Sequence, residues 1–249
     1  MASGKRIAVV TGGMGGIGTA ICQRLASQGC TVIATVHPSE QEQSTKWLAE
    51  RETEGGDISV VAGDVSSASD SARMMGEVIE RFGAVDILVN CAGITRDTTM
   101  KRMQAGQWDE VIATNLSSVF YVTQPIWEGM LERGFGRVIN ISSVNGQRGQ
   151  FGQVNYAAAK AGMHGVTMTL AQEGASKGVT VNTVSPGYVK TAMTDAIRDD
   201  IRESIIAGIP MRRMGLPEEI AAAVAFLAAD EQAYLTGANL PVNGGLFIH

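Results

Sequence analysis

Seven short apolar runs recur along the chain. They are Arg6–Thr11, Thr31–Val36, Ile58–Ala62, Val85–Asn90, Arg137–Ser142, Thr180–Ser185 and Asn239–Asn243. Each holds five or six residues, and the first, R-I-A-V-V-T, is a β-branched apolar run of the kind that suits a strand buried on both faces. Between them lie longer stretches of mixed polarity. Thr19–Gln28 is closed by Gly29, Ser39–Glu54 by Gly55-Gly56, and Ala68–Phe82 by Gly83. Gln107–Tyr121, Tyr156 to about Ser176, and Pro217–Ala229 follow. Glycine after the last periodic residue is a helix stop. Strands alternating with such helices predict repeated βαβ units in an α/β fold: one doubly wound parallel sheet with helices on both faces. No change of composition divides the chain, so residues 1–249 are expected to form a single domain.

Composition narrows the class. Apolar residues make up 45% and charged residues 18% of 249, values of a core-forming chain. A net charge of -5 and a pI near 5.3 argue against a nucleic-acid partner, which selects a basic face. Cys22, Cys30 and Cys91 lack metal-ligand spacing and read as small buried hydrophobes in a reducing compartment. His37, His164 and His249 are too scattered for a zinc site or a Ser-His-Asp arrangement. Residues 1–6 carry no signal-like apolar region, and no apolar segment approaches a membrane span. A cytoplasmic, soluble protein is expected.

Candidate chemistry gathers where the predicted strands end. Gly12-Gly13-Met14-Gly15-Gly16-Ile17-Gly18 lies between the first strand and the first helix. It reads as G-x-x-x-G-x-G (Gly12, Gly16, Gly18) or as G-x-G-x-x-G (Gly13, Gly15, Gly18). In either register the missing side chains admit a pyrophosphate to the helix N-terminus, as in a Rossmann dinucleotide site. After the second strand, Thr35-Val36-His37-Pro38-Ser39 holds no acid before Glu40. A carboxylate there would repel a ribose 2′-phosphate, so the cofactor expected is NADP(H). No arginine stands there either, and Lys46 is the nearest downstream cation. Gly63-Asp64-Val65 puts a carboxylate within reach of an adenine amino group, or else Asp64 caps the next helix. Asn90-Cys91-Ala92-Gly93 again permits close backbone approach. Asn115 sits inside a predicted helix, where asparagine needs a reason such as a kink or a bound water. Tyr156 and Lys160 stand four residues apart on one helix face, where an ammonium would favour the phenolate. Pro186–Leu216 is long and only partly helical, as expected of a lid over a ligand.

T-G-x-x-x-G-x-G at Thr11–Gly18, N-x-A-G at Asn90–Gly93, Asn115, Ser143, Y-x-x-x-K at Tyr156–Lys160 and P-G at Pro186-Gly187 occur in that order and span most of the chain. Together they resemble the classical short-chain dehydrogenases/reductases; Cys91 departs from the family, which usually has a second asparagine there. The resemblance implies that Tyr156 donates a proton to a carbonyl oxygen and that Lys160 lowers the phenol pKa and binds the nicotinamide ribose. Ser143 would hold the carbonyl and Asn115 a water linked to Lys160. It implies cofactor contacts at Gly12, Gly13, Gly15, Gly16, Ile17 and Gly18, and at Gly63, Asp64 and Val65. Further contacts are implied at Asn90, Ala92, Gly93 and Ile94, at Tyr156 and Lys160, and at Pro186, Gly187 and Val189.

The substrate is read from loops. Gly93–Asp97, Asn145–Gln153 and Ser185–Tyr188 are similar to the bacterial acetoacetyl-CoA reductases within that family. This implies NADPH-dependent reduction of acetoacetyl-CoA to (R)-3-hydroxybutyryl-CoA for polyhydroxybutyrate synthesis, in a homotetramer. Asp97, Ser143, Gln150, Phe151, Gln153, Gly187 and Tyr188 would contact the acyl-CoA. One rival is 3-oxoacyl-[acyl-carrier-protein] reductase, for which Arg133 and Lys177 could contribute a docking patch. Another is a non-catalytic NADP-binding protein, against which the intact Asn115, Ser143, Tyr156 and Lys160 set speaks.

Overall fold

A computed structural model describes residues 5–52, 56–195 and 198–248. All seven expected strands are there: β1 Ile7–Thr11, β2 Thr31–Val36, β3 Ile58–Ala62, β4 Ile87–Asn90, β5 Gly136–Ile141, β6 Val179–Pro186 and β7 Asn239–Val242. They form one sheet in the order β3-β2-β1-β4-β5-β6-β7, and every pair is parallel. The order reverses between β1 and β4, the switch point where such sheets open a crevice at their C-terminal ends. There the Thr11 hydroxyl accepts from the backbone N–H of Cys91 and of Ala92, both at 3.0 Å.

The helices are α1 Gly16–Ser27, α2 Gln41–Glu52, α3 Ala68–Phe82, α4 Ala105–Ile112, α5 Ser118–Arg133, α6 Val144–Arg148, α7 Val154–Ala175, α8 Ala192–Asp195, α9 Asp199–Gly208 and α10 Pro217–Ala228. Alternation along β1 assigns them to faces. Ala8 and Val10 pack with Ile21 and Leu25 of α1, Trp47 of α2, and Ile220 and Leu227 of α10. Val9, pointing the other way, packs with Met74 and Val78 of α3, Ile126 and Met130 of α5, and Ala171 of α7. Each such buried aliphatic side chain stabilises the fold by roughly 1.5–3 kcal/mol. Helix α3 shows how local sequence sets the geometry. Its buried Ser71, Met74, Met75 and Val78 fall on one stripe, Ser67 caps it by accepting from Asp70 N, and Gly83 ends it at φ 97°.

Two expectations need correction. The helix expected over Gln107–Tyr121 is two helices, α4 and α5, joined by one π-helical turn at Ala113–Ser117. Helix α5 continues through Pro125 to Arg133, because Val122, Ile126 and Met130 bury their side chains on that face. The glycine-rich segment before Tyr156 is not all loop: Ser143 accepts from Asn145 N and starts α6, which Gly149 ends at φ 73°. The segment after β6 carries α8 and α9. The expected helix end at Glu54-Gly55, the first four residues, Ala196-Ile197 and His249 lie outside the described residues.

At the N-terminal end of the sheet, Arg137 is 2% exposed. Its guanidinium donates to the carbonyls of Gly136, Gly178, Ala229 and Asp230. Phe135 lies between it and Arg6, whose guanidinium carbons stand 4.4 and 3.5 Å from the ring centre.

Glycine tolerance differs sharply between sites. A Cβ on Gly18 would stand 2.2 Å from Gly12 O, whereas one on Gly76 in α3 meets nothing within 4 Å. Gly18→Ala is expected to lower the thermal midpoint sharply or prevent folding, and Gly76→Ala to add about 0.5–1 kcal/mol. Thermal and denaturant unfolding of both variants checks this; equal effects would refute the packing account.

Candidate active site

The end of β5 and the start of α7 bring the candidate residues together. Ser143 lies two residues beyond the end of β5 and is 8% exposed. Its hydroxyl caps α6, accepting from Asn145 N at 3.1 Å, and lies close enough to the Tyr156 phenol to lower its pKa. Lys160, one turn along α7, is buried, and its ammonium donates to Ile141 O at 2.7 Å. The ammonium stands 5.8 Å from the Tyr156 ring centre. A Cβ on Gly93 would lie 3.3 Å from Asn115 Oδ1 and 3.5 Å from Lys160 Nζ, so these three share one corner.

The electrostatics differ from the expected phenolate. Burial raises the Tyr156 pKa above the ordinary phenol value; the Ser143 hydrogen bond opposes this, while Asp97 and Cys91 add to it. Burial also brings the Lys160 ammonium down to about 8, with Cys91 opposing. Desolvation outweighs the ammonium's pull because the lysine is turned toward Ile141 O. Tyr156 is therefore held as the neutral acid at neutral pH, the form a proton donor needs. Burial pushes the Cys91 thiol up to about 11.

Asn115 lies within the π turn. Its Oδ1 accepts from Ile94 N at 2.8 Å and its Nδ2 donates to Ile94 O at 2.9 Å. The helix is interrupted there by the π turn, and the Asn115 side chain ties down the strand extension carrying Gly93 and Ile94. Asn90 turns inward, donating to Asn140 Oδ1 at 2.9 Å.

The glycine turn fits a dinucleotide. Gly15 N donates to Gly12 O, and no side chain caps α1; no acid lies in its first turn. Its leading N–H groups and positive dipole end are thus open to a phosphate. At the end of β2, the buried Thr35 Oγ1 has no partner. Glu40 closes a capping box by accepting from His37 N at 3.2 Å, and His37 Nδ1 meets Ser39 Oγ at 2.7 Å. Asp64 does not cap α3; its Oδ1 accepts from Ser66 N and Oγ instead. Gly63 packs against Met74, and Val65 and Val189 are buried. Thr191, which sequence reasoning missed, rests on Gly16: a Cβ there would stand 2.9 Å from Thr191 Cγ2. Its place shortly after Pro186-Gly187, in the expected lid, was the available signal.

The expected substrate residues divide. Gln153 Nε2 donates to Asp97 Oδ2 at 2.7 Å and its Oε1 accepts from Asn145 Nδ2 at 2.9 Å. Asp97 and Gln153 thus pair with each other, and Asn145, also missed, completes the chain. Its own Oδ1 is buried without a partner. Gln150 is exposed and accepts from Arg148. Phe151 is 87% exposed beside a groove of about 610 Å³. Gly187 must be glycine, since a Cβ would stand 2.8 Å from Asn243 Cα, and Tyr188 follows it, partly buried. Arg133 donates to Val85 O just before β4, at the other end of the sheet from Tyr156. Among the described residues, no group of three or more His, Cys, Asp or Glu could hold a metal, and no helix is long and apolar enough to cross a membrane.

A family model described as enoyl-(acyl carrier protein) reductase matches residues 12–247. An acetoacetyl-CoA reductase of Allochromatium vinosum is 70% identical over 244 residues, covering 98% of this chain and 99% of that protein. An acetoacetyl-CoA reductase of Cupriavidus necator is 53% identical, covering 97% and 98%. The 3-oxoacyl-[acyl-carrier-protein] reductase FabG of Escherichia coli is 44% identical, covering 98% of each. Among solved structures, the crystal structure of gox2181 superposes with a TM-score of 0.92 at 36% identity, covering 97% of this chain and 95% of that one.

Asn115→Ala removes both bonds to Ile94 and is expected to cost about 1–3 kcal/mol. Asn115→Asp, which keeps an acceptor for Ile94 N but loses the donor, is expected to fall between. Urea denaturation of the three proteins checks the order; an unaffected Asn115→Ala protein would refute it.

Proposed function

Because this chain belongs to the short-chain dehydrogenase/reductase family and is an oxidoreductase using a nicotinamide cofactor, we propose that it reduces acetoacetyl-CoA to (R)-3-hydroxybutyryl-CoA with NADPH. The observation that carries the reading is the placement of Ser143, just past β5, close enough to the buried Tyr156 phenol to lower its pKa, with Lys160 one turn along α7. It sets a proton donor and an oxyanion partner around one point. The 70% identity to a protein named acetoacetyl-CoA reductase supports the substrate.

The cofactor, when bound, supplies the hydride. Gly12, Gly13, Gly15, Gly16, Ile17 and Gly18 would hold its pyrophosphate, with Thr191 against Gly16. Gly63, Asp64 and Val65 would meet its adenine, and Asn90, Ala92, Gly93, Ile94, Pro186, Gly187 and Val189 would make its further contacts. Ser143 donates to the ketone oxygen and fixes it for attack. Tyr156 gives that oxygen its proton as negative charge develops. Lys160 reaches the ribose and Asn115 holds the corner in which it stands. The absence of an acid between Val36 and Glu40, and the commitment of Glu40 to the His37 cap, favour NADPH over NADH.

The acyl-CoA lies along Gly187, Tyr188 and the loop of Gln150, Phe151 and Gln153, with Asp97 holding Gln153. The tethering of Arg133 to Val85 O favours a CoA thioester over an acidic carrier protein. Phe120 and Met168 are 61% and 53% exposed on α5 and α7, which supports assembly as a homotetramer. The free thiols of Cys22, Cys30 and Cys91 accord with a reducing cytoplasm.

Tyr156→Phe is expected to abolish ketone reduction while leaving NADPH binding within about twofold, read by turnover and fluorescence titration; retained turnover would sink the proton-donor role. Acetoacetyl-CoA should outpace acetoacetyl-carrier protein, and NADPH should outpace NADH, in the same steady-state assay. A strong preference for the carrier substrate would overturn the choice of thioester. The free-enzyme profile of kcat/KM should be flat below pH 8 and fall as pH rises through about 8, where Lys160 loses its proton. Activity constant to pH 10 would exclude a required ammonium.

A further inference from the structure

His164 stands one turn beyond Lys160 and two beyond Tyr156 on α7, and no step above uses it. Its Nε2 lies 3.2 Å from the hydroxyl of Ser142. That hydroxyl, 3% exposed with its residue, donates to the main-chain oxygen of Lys160 at 2.7 Å. A hydroxyl has one proton, and here it is committed to Lys160 O. Only its lone pairs face His164, so Nε2 carries the ring proton and donates it.

The neighbouring residue makes this link more than a packing contact. Ser143 lies close enough to the Tyr156 phenol to lower its pKa, while Ser142 bonds the Lys160 carbonyl one turn along. One dipeptide just past β5 therefore meets α7 at two levels, and Ser142 makes the hydrogen bond. Gly146 presses on the same turn: a Cβ there would stand 2.8 Å from Lys160 C. A hydroxyl bonded on one side only can rotate; bonded on both sides it is fixed. We infer that His164 is a positioning residue that, through Ser142, fixes the height of α7 against β5, and so the places of Tyr156 and Lys160 relative to Ser143. The inference rests on the roles proposed for those three residues.

The test compares kcat, KM for acetoacetyl-CoA, NADPH affinity and thermal midpoint in the full enzyme. Small misplacements of a catalytic group cost up to about a hundredfold. His164→Leu should lower kcat by about tenfold or more, with KM and NADPH affinity within about twofold. His164→Gln, whose amide nitrogen can take the place of Nε2, should recover most of the rate. Ser142→Ala should reproduce the loss, and Ser142→Ala/His164→Leu should lose no more than either single variant. An unchanged kcat in His164→Leu, additive losses, or a glutamine variant no better than leucine would overturn the inference. If His164→Leu does not fold, His164→Gln against His164→Asn decides, since asparagine is one methylene short; equal rates overturn it. Tyr156→Phe in the same assay reports on the parent reading alone. Retained turnover there removes the proton donor, whereas a silent His164 series with an inactive Tyr156→Phe enzyme removes only this positioning role.

Discussion

Backbone lies against backbone where α6 meets α7, and the chemistry of the crevice depends on that approach. Gly146 leaves no room for a Cβ over the main chain of Lys160 and Ala161. A larger residue would lift the N-terminal turns of α7 off β5. Ser143 would then stand away from the Tyr156 phenol and Ser142 would lose the Lys160 carbonyl. The ammonium, drawn below its usual range by burial, is satisfied there by Ile141 O. Low dielectric and fixed donors come from the same close packing, which keeps Tyr156 protonated and Ser143 in place.

The sheet and its helices were legible because buried parallel strands leave uninterrupted apolar runs and glycine marks helix ends. Two strands, β2 and β3, kept their expected limits, and the others moved by at most two residues at either end. What the pattern hid was local. The π turn at Ala113–Ser117 carries no apolar signature of its own, and only the awkward placement of Asn115 hinted at it. Helix α5 runs past Pro125 because its buried face outweighs one lost hydrogen bond. Helix α6 is five residues long and exists through a serine cap and a glycine stop, too short for periodicity to register.

The candidate site was legible as residue types but less so as relationships. The Tyr156–Lys160 spacing suggested an ammonium stabilising a phenolate, yet burial dominates both groups and raises the phenol. Spacing carries no information on desolvation. Asp97 and Gln153 were named as separate ligand contacts, and they hydrogen-bond each other across 56 positions of sequence. Asn145 and Thr191 went unassigned, since their significance lies in what they rest against rather than in a spacing. The glycine turn was clearest, because a strand, a run of glycines and a helix leave few alternatives.

The cluster of Arg6, Phe135 and Arg137 lies at the end of the sheet away from this crevice. Burial pulls the Arg137 pKa below its usual value, Asp230 opposing, and the guanidinium ties together four carbonyls from three separate stretches of chain. Such a clasp divides the molecule into a conservative floor and an adaptable ceiling. Loops at the C-terminal ends of the strands can be exchanged, and a new thioester or ketone accommodated, while the register of β5 and β6 is kept by a lock that touches no ligand. Substrate choice can drift here without the architecture having to be relearned.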